Sequence, residues 1–126
     1  MDDHRDHRKE IGALGERLVA EALEARGFRI LARNFRCRWG EIDLVARNET
    51  ALWFVEVKTR TSSTPPWPVS WRQQQRITRT AYRFLANYLE RGGAPRSEIQ
   101  FVVAAVCFRG NTPHIDWIEQ AFESTF

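Results

Sequence analysis

Residues 40–58 read GEIDLVARNETALWFVEVK, and the rest of the architecture is built around them. Two runs rich in β-branched and aromatic residues, 41–46 and 51–58, flank the polar segment 47–50. This pattern predicts an antiparallel β-hairpin with a short loop.

The predicted hairpin carries two acids and a lysine. Side chains alternate between the faces of a strand, so Glu56 and Lys58, two residues apart, share a face. With the loop centred near residues 49 and 50, the antiparallel register places Asp43 about opposite Glu56. Two carboxylates and an ammonium group are therefore expected to meet in one place.

These three groups supply what phosphodiester hydrolysis needs. Carboxylates hold a hard divalent ion, the ion activates water and neutralises developing charge, and a cation steadies the attacking group. Mg²⁺ fits best, with Mn²⁺ as a substitute, because it binds a few carboxylates and keeps its remaining waters. The alternative is a structural salt bridge, in which Asp43 or Glu56 pairs with Lys58 across the hairpin.

An amphipathic helix is predicted before the hairpin. On the helical wheel Glu16 lies beside the apolar stripe, so its carboxylate is aimed toward the protein. We expect a third acidic ligand or a base there, and the alternative is a boundary glutamate in a surface ion pair. Gly27 ends the helix, and the stripe consists of Ile11, Leu14, Leu18, Ala22 and Ala25.

The segments around the hairpin predict an α/β fold. Residues 28–35 form a strand before it. After it come a proline-rich loop over 61–68, a long helix over 69–91 and an apolar strand over 99–108, which together make a right-handed parallel crossover. An edge strand over 114–118 follows. The predicted order is α-β-β-β-α-β-β, with a central mixed sheet flanked by helices.

Length and composition indicate one domain, residues 11–126, behind a flexible polar tail of residues 1–10. No apolar run approaches the roughly 20 residues of a membrane helix, and the charged N-terminus lacks the apolar segment of a signal peptide. We therefore expect a cytoplasmic protein with no membrane partner. Cys37 and Cys107 lack metal-binding or redox spacing and are expected to be free thiols.

Positive charge is concentrated in one part of the chain. The net charge is only +3, but between Arg60 and Arg96 seven arginines against one acid, Glu90, give a local charge of about +6. Four of these arginines follow helical spacing and form a single stripe on the second helix: Arg72, Arg76, Arg79 and Arg83.

The arginine stripe predicts a polyanionic partner. Aligned like charges repel, and phosphates would neutralise them through the forked donors of each guanidinium. We expect nucleic acid, with DNA as its form, and the alternative is a solvated basic face. Trp39, Trp67 and Trp71 lie in or next to predicted loops, where they would stack on unpaired bases or wedge a distorted duplex. The alternative for each tryptophan is core packing.

Several motifs together resemble one known family. The most specific is the combination G-E-I-D followed by F-V-E-V-K-x-R. The chain looks like the YraN-type uncharacterised bacterial family of the PD-(D/E)XK, or restriction-endonuclease-like, superfamily, whose relatives include archaeal Holliday-junction resolvases. The resemblance rests on Gly15-Glu16, Asn34-Phe35-Arg36, residues 40–46, residues 54–60 and residues 117–122.

The resemblance implies a three-layer restriction-endonuclease-like fold and a catalytic set of Asp43, Glu56 and Lys58, with Glu16 as the N-terminal acid near the metal. Two positions depart from the family pattern. The second helix often carries a lysine where this chain has Gln73, and the later strand often carries an aspartate where it has Val102. A glutamine, Gln73 or Gln74, would take over the polar role of that lysine.

The first functional hypothesis is therefore a Mg²⁺- or Mn²⁺-dependent endonuclease acting on DNA, with branched or distorted DNA as a candidate substrate. A homodimer would supply one site for each strand. The second is a nucleic-acid-binding protein that keeps the fold and cuts little or nothing. The third is an interaction protein whose arginine stripe binds an acidic protein. The predicted nucleic-acid contacts are Arg60, Arg72, Arg76, Arg79, Arg83, Gln73 and Trp67.

Overall fold

The predicted hairpin forms the middle of a five-stranded sheet. A computed structural model of the chain describes residues 4–60, 69–94, 98–119 and 121. The predicted order of elements is confirmed. The helices and strands are α1 (His4–Ala25), β1 (Arg29–Cys37), β2 (Gly40–Arg47), β3 (Ala51–Arg60), α2 (Trp71–Glu90), β4 (Glu98–Arg109) and β5 (Thr112–Ile118). The proline-rich loop with Trp67, and also Arg96, lie outside the described residues.

The strands follow one another across the sheet in the order β1-β2-β3-β4-β5. Neighbours are antiparallel except β3 and β4, which run parallel from the pair of Ala51 with Glu98 to the pair of Arg60 with Cys107. The sheet is therefore mixed, and α2 is the crossover between its two parallel strands. The interior of β4 is buried from residue 101 to residue 104, as its apolar sequence predicts.

The two helices cover opposite faces of this sheet, which confirms the predicted three layers. On one face, α1 contributes Val19, Ala20 and Leu23 to a core with Leu44, Ala46, Trp53, Val55, Val102 and Ala104. On the other face, α2 contributes Ile77, Ala81 and Phe84 to a core with Ile42, Val45, Leu52, Phe54 and Phe101. No helix in the described ranges is long and apolar enough to cross a membrane.

The first helix starts earlier than its apolar periodicity predicts. It begins at His4, whereas the apolar stripe begins at Ile11, so residues 4–10 are part of α1. The physical reason is that arginine, lysine and glutamate favour helix and that neither glycine nor proline interrupts this segment. A run of charged residues therefore does not mark where α1 begins.

The turn between β1 and β2 is shorter than predicted. The sequence indicates a polar turn over residues 36–40, but the ladder continues through the pairs of Arg36 with Glu41 and Cys37 with Gly40. An ion pair of 3.3 Å between Arg36 Nε and Glu41 Oε2 reinforces these last rungs. Only residues 38 and 39 are left in the turn, which places Trp39 at the hairpin tip.

Candidate functional site

Asp43 lies where β2 and β3 begin to separate. The pairing of the two strands ends at Leu44 and Val55, and one further step in the same register brings Asp43 level with Glu56. Asp43 Oδ2 there accepts a hydrogen bond of 2.8 Å from the backbone N–H of Val57. This bond holds the carboxylate between the strands, so the hairpin brings the two predicted acids together.

Glu56 and Lys58 extend from the same face of β3. They alternate with Val55 and Val57, which pack on the α1 side, so both polar side chains point toward the α2 side of the sheet. Lys58 Nζ lies 3.9 Å from Glu56 Oε1. This ion pair lies within β3 and not across the hairpin, as the structural alternative has it, and at this length it contributes little stability. The Glu56 side chain is only 17% exposed.

Glu16 approaches Asp43 from α1, which covers the other face of the sheet. The preceding residue, Gly15, is buried, and a Cβ atom there would overlap the Thr59 hydroxyl on β3. The missing side chain therefore lets the helix approach the strand that carries Glu56. A side chain at position 15 would push α1 away from β3 and take Glu16 with it. Sequence periodicity predicts the inward aim of Glu16 but not this close approach.

Asn34 is a site residue that spacing arguments missed. It has a φ of +51° inside β1, a left-handed conformation that asparagine tolerates better than most residues. The ladder pairs lie on either side of it, Arg33 with Leu44 and Phe35 with Ile42. Its side chain hydrogen bonds to Glu16. An asparagine within a strand-forming run is the signal that would have drawn attention to it.

The carboxyl groups are crowded. Burial, followed by the charge of Asp43, raises the pKa of Glu56 to about 8. Burial also raises the pKa of Glu16, with further contributions from the charges of Asp43 and Glu41, while the hydrogen bond from Asn34 works in the opposite direction. Each ionised carboxylate here therefore makes ionisation of the next one harder.

The donor set fits a hard divalent cation, although it is not assembled around one. Within the described part of the chain, no group of three or more His, Cys, Asp or Glu side chains is arranged to hold a metal ion. Asp43 nevertheless lies close enough to Glu16 and to Glu56 to raise the pKa of both carboxyl groups. Neighbouring carboxylates repel one another, and a divalent cation bound between them would relieve that repulsion. Mg²⁺ and Mn²⁺ prefer such oxygen ligands.

The structure shows the surroundings of the two positions that depart from the family pattern, Gln73 and Val102. Gln74 donates from Nε2 to the Val69 carbonyl at 2.8 Å, so its amide is occupied at the start of α2. The Gln73 side chain is half-buried, and its backbone N–H donates to the Ser70 hydroxyl. Val102 is buried in the apolar core under α1. At these two positions the site therefore has neither a lysine nor an acid.

The arginine stripe lies on the outer side of α2. Arg72, Arg76, Arg79 and Arg83 are all exposed, and Arg60 ends β3 with its side chain half-buried. The alternative of core packing is wrong for Trp39 and Trp71, which are 38% and 63% exposed. The predicted contacts to nucleic acid by these residues stay predictions.

Comparison with known proteins identifies similar chains over most of this length. A family model described as "Uncharacterised protein family UPF0102" matches residues 15–108, a segment that begins at Gly15 and contains all four candidate site residues. A UPF0102 protein of Geobacter metallireducens is 41% identical over 123 residues, covering 95% of this chain and 98% of that protein. One of Alkaliphilus metalliredigens is 39% identical over 117 residues, covering 90% and 98%. One of Nocardia farcinica is 43% identical over 116 residues, covering 89% and 88%.

Proposed function

Because the chain belongs to the uncharacterised protein family UPF0102, the YraN family that its motifs resemble, we propose from its site geometry that it is a metal-dependent endonuclease. Its substrate is DNA, and branched or distorted DNA is included among the candidates. The cofactor is Mg²⁺ or Mn²⁺.

One observation supports this proposal above the others. Asp43 lies close enough to Glu16 and to Glu56 to raise the pKa of both, and Lys58 Nζ lies 3.9 Å from Glu56 Oε1. A purely structural ion pair needs one acid and one base, and it gives no reason to place two further carboxyl groups beside them. A divalent cation and a phosphate would balance this surplus of acids and the lysine.

Each residue then has a distinct task. Asp43 is oriented by the Val57 N–H, and it would hold the cation together with Glu56. Glu16, kept in place by Asn34, would complete the ligand set or accept a proton from the attacking water. Lys58 would hold the phosphate and steady the attacking oxygen. When bound, the cation supplies charge neutralisation and acidifies water.

The proposal is tested by incubating the purified protein with linear, branched and single-stranded DNA in the presence of Mg²⁺ or Mn²⁺. Cleavage of at least one DNA form is expected with either ion, and none after chelation with EDTA, because a few carboxylates alone do not activate water. Cleavage that persists in EDTA, or failure of both ions with every DNA form, would contradict the proposal.

A second candidate function is DNA binding with little or no cleavage. It is favoured by Gln73 and Val102, which stand where the family pattern often has a lysine and an aspartate, and by the unassembled state of the carboxylates in the described residues. In this case Asp43 and Glu56 persist as structural groups and the exposed stripe on α2 carries the activity.

Reversing the charge of the arginine stripe distinguishes the two DNA-dependent functions, cleavage and binding, from the hypothesis that the stripe binds an acidic protein. Arg76→Glu with Arg79→Glu is expected to lower DNA affinity steeply and to reduce the slope of log affinity against log salt by about 1 for each lost phosphate contact. Titration of labelled DNA at several salt concentrations measures this. Arg91→Glu is the control for the two single variants, Arg76→Glu and Arg79→Glu, since it changes the net charge equally and Arg91 is exposed just beyond α2. Equal affinity in the stripe and control variants would contradict a DNA-binding stripe.

A further inference from the structure

The tip of the β1–β2 hairpin presents a tryptophan between two arginines. The guanidinium of Arg38 lies 4.5 Å from the centre of the Trp39 ring, and that of Arg79 lies 4.7 Å from it. Both distances are within the range of cation–π attraction. Arg38 comes from the turn and Arg79 from α2, so the ring joins the two elements at an exposed position.

The hairpin tip is held firmly against α2. A Cβ atom on Gly40 would lie 3.6 Å from Arg76 Cβ and 3.5 Å from the Thr80 hydroxyl, so the turn backbone and the helix are in contact. Cys37 Sγ lies 3.8 Å from the same hydroxyl, and it accepts a hydrogen bond of 3.4 Å from the Trp39 N–H. Trp39 is therefore a supported side chain and not a loose one.

Shallow depressions surround Trp39, and their walls are basic and aromatic. One is lined by Trp39, Arg79, Tyr82, Arg83 and Ala86. Tyr82 is 62% exposed, and it lies three residues after Arg79, on the same side of α2. The surface thus carries an exposed tyrosine ring and a partly exposed tryptophan together with guanidinium groups, which is the combination that binds bases and phosphates of an unpaired strand.

This surface continues toward the carboxyl groups. A second depression is lined by Trp39 and Arg76 together with Glu41. Glu41 is also close enough to Glu16 and Glu56 for its charge to act on both. A strand lying over Trp39 and along the arginines would therefore lead directly to the candidate site.

We infer that Trp39 and Tyr82, with Arg38, Arg79 and Arg83, form a binding site for unpaired nucleotides of a DNA strand. The arginines match the strand's phosphates in charge. The aromatic rings favour unpaired over duplex DNA, because a base can stack on a side chain only after leaving its own stack. The inference rests on the proposed function for the identity of the ligand as DNA, and it names the form of DNA that the site holds.

The test is binding of a labelled oligo-dT strand of ~20 nucleotides in EDTA, measured by fluorescence anisotropy beside the same strand in duplex form. Trp39→Ala and Tyr82→Ala are each expected to weaken single-strand binding by about tenfold, while Trp39→Phe retains most of it, because the loss is that of one stacked base. Duplex affinity is expected to change much less. Circular dichroism checks that each variant is folded.

Ile118→Ala is the control, because Ile118 is 36% exposed, close to the 38% of Trp39, but lies on β5, at the opposite edge of the sheet from β1. The inference is overturned if folded Trp39→Ala and Tyr82→Ala bind the single strand as the wild type does, if Ile118→Ala weakens binding equally, or if polyglutamate displaces the strand as well as unlabelled oligo-dT does. Because EDTA prevents cleavage, this assay measures binding alone. A protein that binds the single strand as expected but cleaves no DNA with either ion would contradict the proposed function and leave this inference standing.

Discussion

Glu56→Gln is expected to lower the rate of metal-dependent DNA cleavage by roughly a thousandfold, which corresponds to about 4 kcal/mol of transition-state stabilisation. The amide keeps the shape of the carboxyl group but carries no negative charge, so it holds a hard divalent cation poorly. Asp43→Asn is expected to have a similar effect, with the added loss of the carboxylate that accepts from the Val57 N–H. Single-turnover kinetics with excess protein separate this chemical defect from weaker DNA binding.

The matched control is Glu98→Gln. Glu98 is an exposed acid at the start of β4, where it pairs with Ala51 at the far end of β3 from Glu56. Its neutralisation changes the net charge by the same amount and is expected to leave the cleavage rate unchanged. Cleavage that survives both Glu56→Gln and Asp43→Asn would show that any nuclease activity comes from another site.

The proximity of Asp43 to Glu56 could be predicted because the position of a hairpin loop determines which residues of the two strands pair. Once the loop is centred near residues 49 and 50, the register follows, and the observed pair of Leu44 with Val55 agrees with it. The packing of helices on the sheet also follows from apolar periodicity, since the buried residues of α2 lie on the side of the helix opposite its arginines. Both inferences use only local spacing.

The remaining site features depend on distances between elements, which spacing does not give. Gly15 matters because Thr59 lies directly above it, and nothing in either segment alone predicts that contact. Asn34 matters because a local left-handed residue interrupts the ladder and turns its amide toward Glu16. Trp39 becomes a supported surface residue only because its turn is two residues long and packs on α2.

In the absence of metal, Glu56→Gln is expected to make the protein more stable, by about 3 kcal/mol near pH 8.5. Burial and the charge of Asp43 oppose ionisation of Glu56, so the ionised form costs folding free energy that the neutral amide does not. The lost partner is the ion pair of 3.9 Å with Lys58, which contributes little. For a domain of this size the change corresponds to about 10 °C in melting temperature, measured by thermal unfolding in EDTA.

The pH dependence has a definite sign. The pKa of Glu56 is raised in the folded protein, from 4.5 to about 8, so the folded state binds its proton more tightly than the unfolded state. The contribution of this group to stability is therefore complete below about pH 4.5 and is lost as pH rises through about 8. The advantage of Glu56→Gln over the wild type should be small near pH 5 and largest above pH 8. An advantage that is equal at both pH values would contradict the crowding of the carboxyl groups.

Addition of metal ion should reverse the order of stability above pH 8. Mg²⁺ or Mn²⁺ binds the folded wild type and not the unfolded chain, so it raises the melting temperature as its concentration rises above the dissociation constant. Glu56→Gln lacks a charged ligand and should gain much less, whereas Glu98→Gln should respond as the wild type does. If the wild type gains no stability from either ion but still loses stability as pH rises, crowding of the carboxyl groups is supported and metal binding is contradicted. The carboxyl groups would then be crowded for a reason other than metal binding.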